Sequence, residues 1–238
     1  MGNAAYCRLE KMEVIRLKNK AFVYKEHNHV SVYTIGMVLQ GKIQLRCNGQ
    51  YHCYTAGSFF VIPPYQMHAL LLPDVYDMLS VCVDKKLLES CKPCDVFAML
   101  SKMLDRLTEG ADNDLLAKAI DAMYGCRPVE LHNNAIFSSA LSLRSNPEKS
   151  DGVQVMADGT CYSLYHYIKL FKKHVGMTPH KFQIQNRIRK AQAMIECGKI
   201  AADAALELGF YDQSHFIKCF KSIVGLTPSE YSKAVRYL

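Results

Sequence analysis

The chain has 238 residues, half of them hydrophobic, and carries 29 Lys and Arg against 22 Asp and Glu, a net charge of +7. This length fits one large or two small domains, and the apolar fraction excludes global disorder. No apolar run reaches the roughly 18 residues that cross a bilayer, and the charged N-terminal segment lacks the apolar core of a signal peptide. We therefore expect a cytoplasmic protein with no membrane partner.

The positive charge is concentrated in the second part of the chain. Residues 1–130 hold 15 basic and 14 acidic side chains, a net of +1, whereas residues 131–238 hold 14 basic and 8 acidic, a net of +6. A local positive excess attracts polyanions. It indicates a nucleic-acid partner only if a matching motif lies in the same region.

Ten cysteines are scattered along the chain. Without a signal sequence we expect free thiols, most of them packed as small apolar residues. Cys91 and Cys94 have the C-x-x-C spacing of redox and metal sites. No second such pair and no His pair follows closely, so the packing interpretation is favoured.

The N-terminal part of the chain alternates short β-rich runs with turn residues. The predicted runs are Val30–Leu39, Lys42–Cys47, Tyr51–Tyr54, Ser58–Ile62, His68–Leu72 and Tyr76–Val83. Asn48-Gly49 predicts a tight hairpin between two of them, because both central residues of such a turn need a positive φ. About seven strands at this spacing predict a small barrel or a double-sheet jelly roll.

Three histidines lie in this β-rich region. His27 and His29 are two residues apart, so on a strand both side chains would face the same side, and His68 opens a later run. Together with the segment Gly57–Pro64, this spacing resembles the cupin fold, in particular the sensory barrels of bacterial regulators. The resemblance implies a three-nitrogen metal site inside the barrel, which suits Zn, Ni, Co, Fe or Cu without choosing among them.

The sequence departs from the cupin pattern at one point. Enzymatic cupins place a Glu shortly after the His-x-His pair, and the stretch from Val30 to Thr34 holds no carboxylate. This departure weakens a catalytic iron or manganese site. Cys82 could be a soft fourth ligand or part of the core, and the histidines could instead line a pocket for an organic effector or lie at the barrel rim without a ligand.

After Val83 the periodicity becomes helical. Two amphipathic stripes follow, made of Val96, Met99, Leu100, Met103, Leu104 and Leu107 and of Leu115, Leu116, Ala119, Ile120 and Met123. They predict two antiparallel helices that cover the barrel or form a dimer surface. With a linker at Gly125–Pro128, the sequence predicts a barrel over 1–84, a helical segment over 85–128 and a further domain over 129–238.

The last hundred residues contain an internal repeat. The segment from His166 to Phe182 matches that from His215 to Tyr231 at an offset of 49, with 9 of 17 positions identical. Self-similarity at this level indicates one supersecondary unit used twice.

Each copy has the parts of a helix-turn-helix. In the second, an Ala-rich helix over Ile200–Leu208 precedes Gly209 at a C-cap position, and Asp212 is placed to cap the next helix. In the first, Val153–Gly159 is the supporting helix and Leu164–Val175 the one that would read DNA. We call the second helix of each copy the reading helix.

Each reading helix should bury an apolar stripe and expose a polar face. The residues expected in the core are Tyr167, Leu170, Phe171, Phe216, Cys219, Phe220 and Ile223. The residues expected to contact DNA are Tyr165, His166, Lys169, Lys172 and Lys173 in the first copy and Asp212, Gln213, Ser214, Lys218 and Lys221 in the second. The lysines suit phosphates, and Tyr165, His166, Gln213 and Ser214 suit base edges.

A long helix over Lys181–Cys197 connects the two copies. Arg187 on this helix is expected to remain available for solvent or phosphate. A rigid connection would hold both reading helices on one DNA face, about 34 Å apart.

The segment Ala204–Lys221, followed by Gly225–Tyr231, resembles the signature of the AraC/XylS family of bacterial transcription regulators. The resemblance covers about Leu131 to Tyr231, and the N-terminal barrel is similar to that family's effector domain. It implies an α+β multidomain fold. A cupin-like β-barrel or jelly roll with a helical middle segment would precede an all-α domain with two helix-turn-helix motifs.

The resemblance also implies a function. We expect a non-enzymatic, sequence-specific regulator of transcription, more often an activator than a repressor, that binds double-stranded DNA under the control of a small molecule or transition metal. We further expect a homodimer and a contact with RNA polymerase. The alternative from another class is a cupin metalloenzyme, an oxygenase or isomerase that uses His27, His29 and His68.

Overall fold

The computed structural model describes residues 3–9, 11–20, 23–29, 31–71, 75–107, 112–126, 134–149 and 152–237. The chain forms two compact units, one of Met1–Val129 with Ala234–Leu238 and one of Glu130–Lys233. Val30 and Leu72, at the ends of predicted strands, and Arg127 and Pro128 of the predicted linker lie outside the described residues.

The first unit is built around two β-sheets. Its strands are β1 Asn3–Leu9, β2 Met12–Lys20, β3 Tyr24–His27, β4 Val32–Gln40, β5 Lys42–Cys47, β6 Gln50–Thr55, β7 Phe59–Ile62, β8 His68–Leu71, β9 Tyr76–Asp84 and β10 Val235–Tyr237. One sheet has the order β10-β1-β2-β9-β4-β7 and the other β3-β8-β5-β6. Neighbouring strands are antiparallel except for β1 and β10, which run parallel.

The six predicted runs correspond to β4 through β9. The predicted hairpin is confirmed, since β5 and β6 are joined by Asn48 at φ 48° and Gly49 at φ 81°. The structure adds β1, β2, β3 and β10, which the six predicted runs did not include.

The two sheets face each other across an apolar interior. Buried side chains from both sheets pack together there, among them Val38, Leu45, Ile62, Leu70 and Met78. Because side chains alternate along a strand, neighbouring residues of the same strands point the other way. The result is the expected cupin-like double-sheet architecture.

The outer face of the six-stranded sheet is covered by helices. After α1 Lys85–Ser90, the helices α2 Pro93–Asp105 and α3 Asn113–Gly125 place their apolar stripes on β-sheet residues such as Ile35 and Val81. The stripe residues of α3 and most of those of α2 are buried in this contact, while Met99 and Leu107 are half-buried. Of the two alternatives, the structure shows the first: these stripes cover their own barrel.

The second unit is helical. Its helices are α4 Asn134–Ser145, α5 Val153–Asp158, α6 Leu164–Val175, α7 Pro179–Glu196, α8 Ala201–Glu207, α9 Gln213–Val224 and α10 Pro228–Ala234. The reading helices α6 and α9 both have 12 residues, and α9 begins 49 residues after α6, as the repeat predicts. α4 was not predicted.

The repeat extends to the caps of the reading helices. The side chains of Ser163 and Asp212 occupy matched positions and accept the third backbone N–H of α6 and α9. Gly176 at φ 89° and Gly225 at φ 83° end the same two helices in the left-handed conformation that glycine adopts without steric cost.

Matched aromatic side chains form the core of each copy. In the first, the ring centroids of Phe171 and Phe182 are 5.6 Å apart, and in the second those of Phe220 and Tyr231 are 5.5 Å apart. All four side chains are fully buried. Each copy is therefore a packed helical unit of the same construction.

Among the described residues, no helix combines the length and apolar character needed to cross a membrane.

Candidate effector site and nucleic-acid interface

Three imidazoles converge at one end of the barrel. The candidate ligand atoms of His27, His29 and His68 all lie within 4.8 Å of one another. His29 and His68 are buried, and His27 is half-buried. The structure thus brings together the three histidines that the sequence singled out, although only His27 lies on β3 and His29 follows that strand.

Each imidazole is held through Nδ1. His27 donates from Nδ1 to the carbonyl of Lys25 at 2.7 Å, and His68 donates from Nδ1 to the carbonyl of Gln66 at 3.0 Å. A carbonyl only accepts, so these bonds require a proton on Nδ1 of both rings, and the neutral form of each ring then has its lone pair on Nε2. This is the tautomer in which Nε2 is the metal-ligating atom.

The third imidazole contacts a buried polar pair. Nδ1 of His29 lies 3.1 Å from the hydroxyl of Thr34, which lies 3.5 Å from Sγ of Cys82. Cys82 is 4.0 Å from the same Nδ1 and is not among the three residues whose ligand atoms converge. The sulfur of Cys82 therefore lies on the Nδ1 side of the His29 ring and is not placed as a fourth ligand.

The loop before β8 holds two of the histidines. The backbone N–H of Tyr65 donates to the carbonyl of His29 at 2.6 Å, and Gln66 supplies the acceptor for His68. Tyr65 has a φ of 66°, which is uncommon for a residue with a side chain. Thr34, Tyr65 and Gln66 were not predicted as site residues, and only their position beside the histidines in the fold reveals their role.

The reading helices expose the polar faces that the sequence predicted. The exposed residues are Tyr165, His166, Lys169, Lys172 and Lys173 on α6, Asp212 before α9, and Gln213, Ser214, Lys218 and Lys221 on α9. On the opposite faces Tyr167, Phe171, Phe216 and Phe220 are buried. Leu170, Cys219 and Ile223 were expected in the core and are half-buried instead.

The exposed faces of the two reading helices repeat one pattern. His166, Lys169 and Lys172 on α6 correspond at the offset of 49 to His215, Lys218 and Lys221 on α9. The prediction omitted His215, which is exposed, and aligning the two copies would have found it. Two copies of one cationic pattern suit two similar contacts to a phosphate backbone.

Asp212 has a structural task. Its carboxylate accepts the backbone N–H of His215 at 2.7 Å, which confirms the predicted N-cap. Because a carboxylate repels phosphate, this bond places Asp212 as the cap of α9, and its contact with DNA stays a prediction.

The prediction that Arg187 faces solvent or phosphate is wrong. Its side chain is buried and donates hydrogen bonds to the backbone carbonyls of Pro147 and Gly209. The sequence pattern around α7 suggested a polar face, but the loop after α4 and the turn after α8 pack over this position.

Two family models match the chain. The AraC-like ligand binding domain matches residues 11–120, and a helix-turn-helix domain matches residues 156–234. The HTH-type transcriptional regulator YbfI of Bacillus subtilis (strain 168) is 26% identical, and the match covers 85% of each chain.

Solved structures of ToxT from Vibrio cholerae share the fold. The structure from strain O395 has a TM-score of 0.62 at 15% identity and covers 95% of this chain and 98% of that one. A structure of ToxT from strain SCE256 with bound unsaturated fatty acid has a TM-score of 0.60 at 16% identity and covers 98% of this chain and 96% of that one.

A ligand-binding β-barrel domain and a double helix-turn-helix in one chain define a one-component transcription regulator. The two family matches support this class over the cupin metalloenzyme. The chain combines an AraC-like ligand binding domain with a helix-turn-helix domain and is similar to an HTH-type transcriptional regulator over most of its length.

Proposed function

We propose that a divalent transition metal bound by His27, His29 and His68 controls the DNA binding of this regulator. The observation that carries the proposal is the convergence of three imidazoles whose ligand atoms lie within 4.8 Å. Zn, Ni, Co, Fe and Cu all accept such nitrogen ligands.

The surroundings of the three rings support a metal more than a structural role. Metal-bound histidines usually donate the second ring nitrogen to a carbonyl or another oxygen, which fixes the ring. Lys25, Gln66 and Thr34 provide an oxygen to Nδ1 of one histidine each. A three-nitrogen set also leaves coordination positions for water or for an effector.

A second candidate is an organic effector. The matched family model is a ligand-binding domain, and the interior between the two sheets is apolar, with Phe60 and Met78 among its residues. ToxT, which shares the fold, has been solved with an unsaturated fatty acid bound. An apolar molecule with a polar head near the histidines would use both parts of this interior.

The activity that the effector would control is sequence-specific binding to double-stranded DNA. The lysines of α6 and α9 would neutralise phosphates, which makes the affinity fall steeply with salt. Tyr165, His166, Gln213 and Ser214 would contact base edges from the first turn of each reading helix. The effector must favour one conformation of the protein over another, since equal affinity for both changes nothing.

The remaining partners follow from this function. We propose a homodimer, a contact with RNA polymerase and a role as an activator. We also propose that the protein acts in the cytoplasm, where its DNA target lies.

Metal analysis tests the effector site. Purified protein is dialysed against each of the five metals in turn and analysed by elemental mass spectrometry, alongside His68→Ala and His52→Ala. His52 is an exposed histidine on β6 and serves as the control. We expect one metal per chain in the wild type and in His52→Ala and none in His68→Ala. A metal-free wild type after every dialysis would exclude the metal and leave the organic effector.

A DNA-shift assay tests the output. The probe is a duplex from the region upstream of the protein's own gene, titrated with and without the metal at several salt concentrations. We expect specific, salt-sensitive binding whose affinity changes with the metal. Absence of specific binding under every condition would contradict the proposed output.

A further inference from the structure

We infer that Arg187 fixes the distance and angle between the two reading helices and thereby sets the spacing of the two DNA segments they read. This inference rests on the proposed function, because such a spacing exists only for a protein that binds DNA through both motifs. Arg187 acts here as a positioning residue and touches no DNA itself.

The guanidinium of Arg187 joins three backbone carbonyls. Nε donates to Pro147 at 2.7 Å, Nη1 to Gly209 at 2.8 Å and Nη2 to Glu148 at 3.4 Å. Each nitrogen of the fork thus has its own acceptor. Hydrogen bonds from a charged donor are stronger than those between neutral groups.

The three carbonyls belong to two separate segments of the helical unit. Pro147 and Glu148 lie in the connection between α4 and α5, which leads into the first helix-turn-helix. Gly209 lies in the turn between α8 and α9 of the second. Arg187 itself is on α7, the helix between the two copies, so one side chain joins the segment that precedes the first motif and the turn of the second motif to this connecting helix.

Arg187 and its three acceptor carbonyls, which we call the junction, lie next to the turn of the second motif. Gly209 has a φ of 71°, and a Cβ added there would lie 3.5 Å from Nη2 of Arg187 and 3.5 Å from the carbonyl oxygen of Glu148. The guanidinium carbon also lies 6.0 Å from the centre of the Phe210 ring, which packs on Phe216 of α9 with 5.1 Å between centroids. The junction therefore reaches the reading helix through one aromatic contact.

Two other polar side chains of α7 bind the connection between α4 and α5. Gln183 donates to the carbonyls of Pro147 and Lys149, and Lys190 pairs with the carboxylate of Glu148 at the surface. Both contacts anchor the connection between α4 and α5. Lys190 is therefore a matched control for Arg187, since it lies on the same helix and its ion pair reaches the connection between α4 and α5.

Arginine is suited to this position in a way that lysine is not. Its planar fork presents several donors in fixed directions, whereas a lysine ammonium is a single point on a flexible stem. Burial lowers the pKa of Arg187, but a guanidinium stays charged in proteins. A lysine at this position can donate well to one of the three carbonyls, so the other carbonyls lose their hydrogen bond and the two segments are no longer joined.

The expected consequence concerns binding to two DNA segments at once. A rigid connection makes the second contact intramolecular, with a high effective concentration that is lost when the geometry no longer matches. Without the Arg187 junction, each reading helix still binds its own segment, but the gain from binding both falls and the preference for one spacing weakens.

The test compares Arg187→Lys with the wild type and with Lys190→Gln on a series of duplexes. Footprinting of the wild type on its own upstream region defines the two protected segments. Duplexes then carry both segments at native spacing, both segments with 2 or 5 base pairs inserted, or one segment alone. Inserting base pairs should lower the affinity of the wild type and of Lys190→Gln for the duplex by about 10-fold or more. The same insertion should lower the affinity of Arg187→Lys by less than about 3-fold.

Arg187→Lys should also bind the native duplex about 10-fold more weakly than the wild type while keeping its affinity for one segment within about 3-fold. If Arg187→Lys loses the same factor in affinity on the one-segment duplex as on the two-segment duplex, the variant is generally destabilised and the inference is overturned. A spacing preference equal to that of the wild type would also overturn it. If Arg187→Lys does not fold, Gly209→Ala, which strains the left-handed backbone (φ 71°) of the turn that Arg187 binds, must give the loss of spacing preference. If the wild type itself has no salt-sensitive footprint, the proposed function fails instead.

Discussion

His27 and His68 face each other across the antiparallel pair of β3 and β8, with 4.2 Å between their ring centroids. They are 41 residues apart in the sequence, and the sheet register makes them cross-strand neighbours. His29 then reaches the same place from the segment after β3, 5.2 Å from the His68 ring. Two of the three donors thus lie on paired strands, which position ligands more rigidly than loops do, and the third follows one of these strands directly.

Replacing Thr34 by Val should weaken metal binding without removing a ligand. The hydroxyl lies 3.1 Å from Nδ1 of His29, and loss of such a supporting oxygen typically costs about 10- to 100-fold in metal affinity. Competition with a chromogenic chelator measures the change. Thr34→Ser retains the hydroxyl and should bind nearly as the wild type does, whereas equal affinity of Thr34→Val and wild type would contradict the assigned role.

Replacing Lys169 or Lys218 by Ala should each reduce the salt dependence of DNA binding. One lost phosphate contact lowers the slope of log K against log salt by about 0.9. The two lysines occupy matched, exposed positions on α6 and α9, so the two variants should behave alike. Lys102→Ala, an exposed lysine of α2, is the control and should leave the slope unchanged.

Gly36→Ala should destabilise the barrel through one identifiable contact. Gly36 pairs with Phe60 across β4 and β7, and an added Cβ would lie 2.0 Å from Cζ of that ring. Overpacking of this kind costs about 1–3 kcal/mol in the free energy of unfolding. Chemical denaturation measures it. Adding Phe60→Leu should recover part of the loss, and strictly additive effects of the two changes would rule out this contact as the cause.

The ion pair of Glu148 and Lys190 predicts a small pH dependence of stability. The hydrogen bond from Lys190 lowers the pKa of the Glu148 carboxyl below its ordinary value. The stabilisation is therefore present at neutral pH and is lost as the pH falls through that lowered pKa, below 4.5.

The pH effect is measured as the difference in Tm between the wild type and Glu148→Gln. Because the pair lies at the surface, the difference should correspond to about 1 kcal/mol at most at pH 7 and should vanish in acid. A difference that grows on acidification would have the wrong sign for this pair.

The sequence by itself determined the parts of the fold that depend on local periodicity and turn chemistry. The offset of 49 placed both reading helices at their observed bounds, and Asn48-Gly49 placed the hairpin between β5 and β6. Caps, glycine turns and amphipathic stripes depend on residues that are close in the sequence, so they can be predicted without knowing what packs against them.

Only the tertiary structure decided which polar residues are buried and which distant residues meet. Arg187 has a sequence environment typical of an exposed helix face, yet two backbone segments that precede and follow it by more than twenty residues enclose it. Thr34 and Gln66 contact histidines that the sequence did identify, but these contacts depend on how β4 and the loop before β8 are placed beside the imidazoles. Whether a residue is buried, and which groups it binds, depends on the segments that pack against it. The pattern within one segment does not specify those other segments.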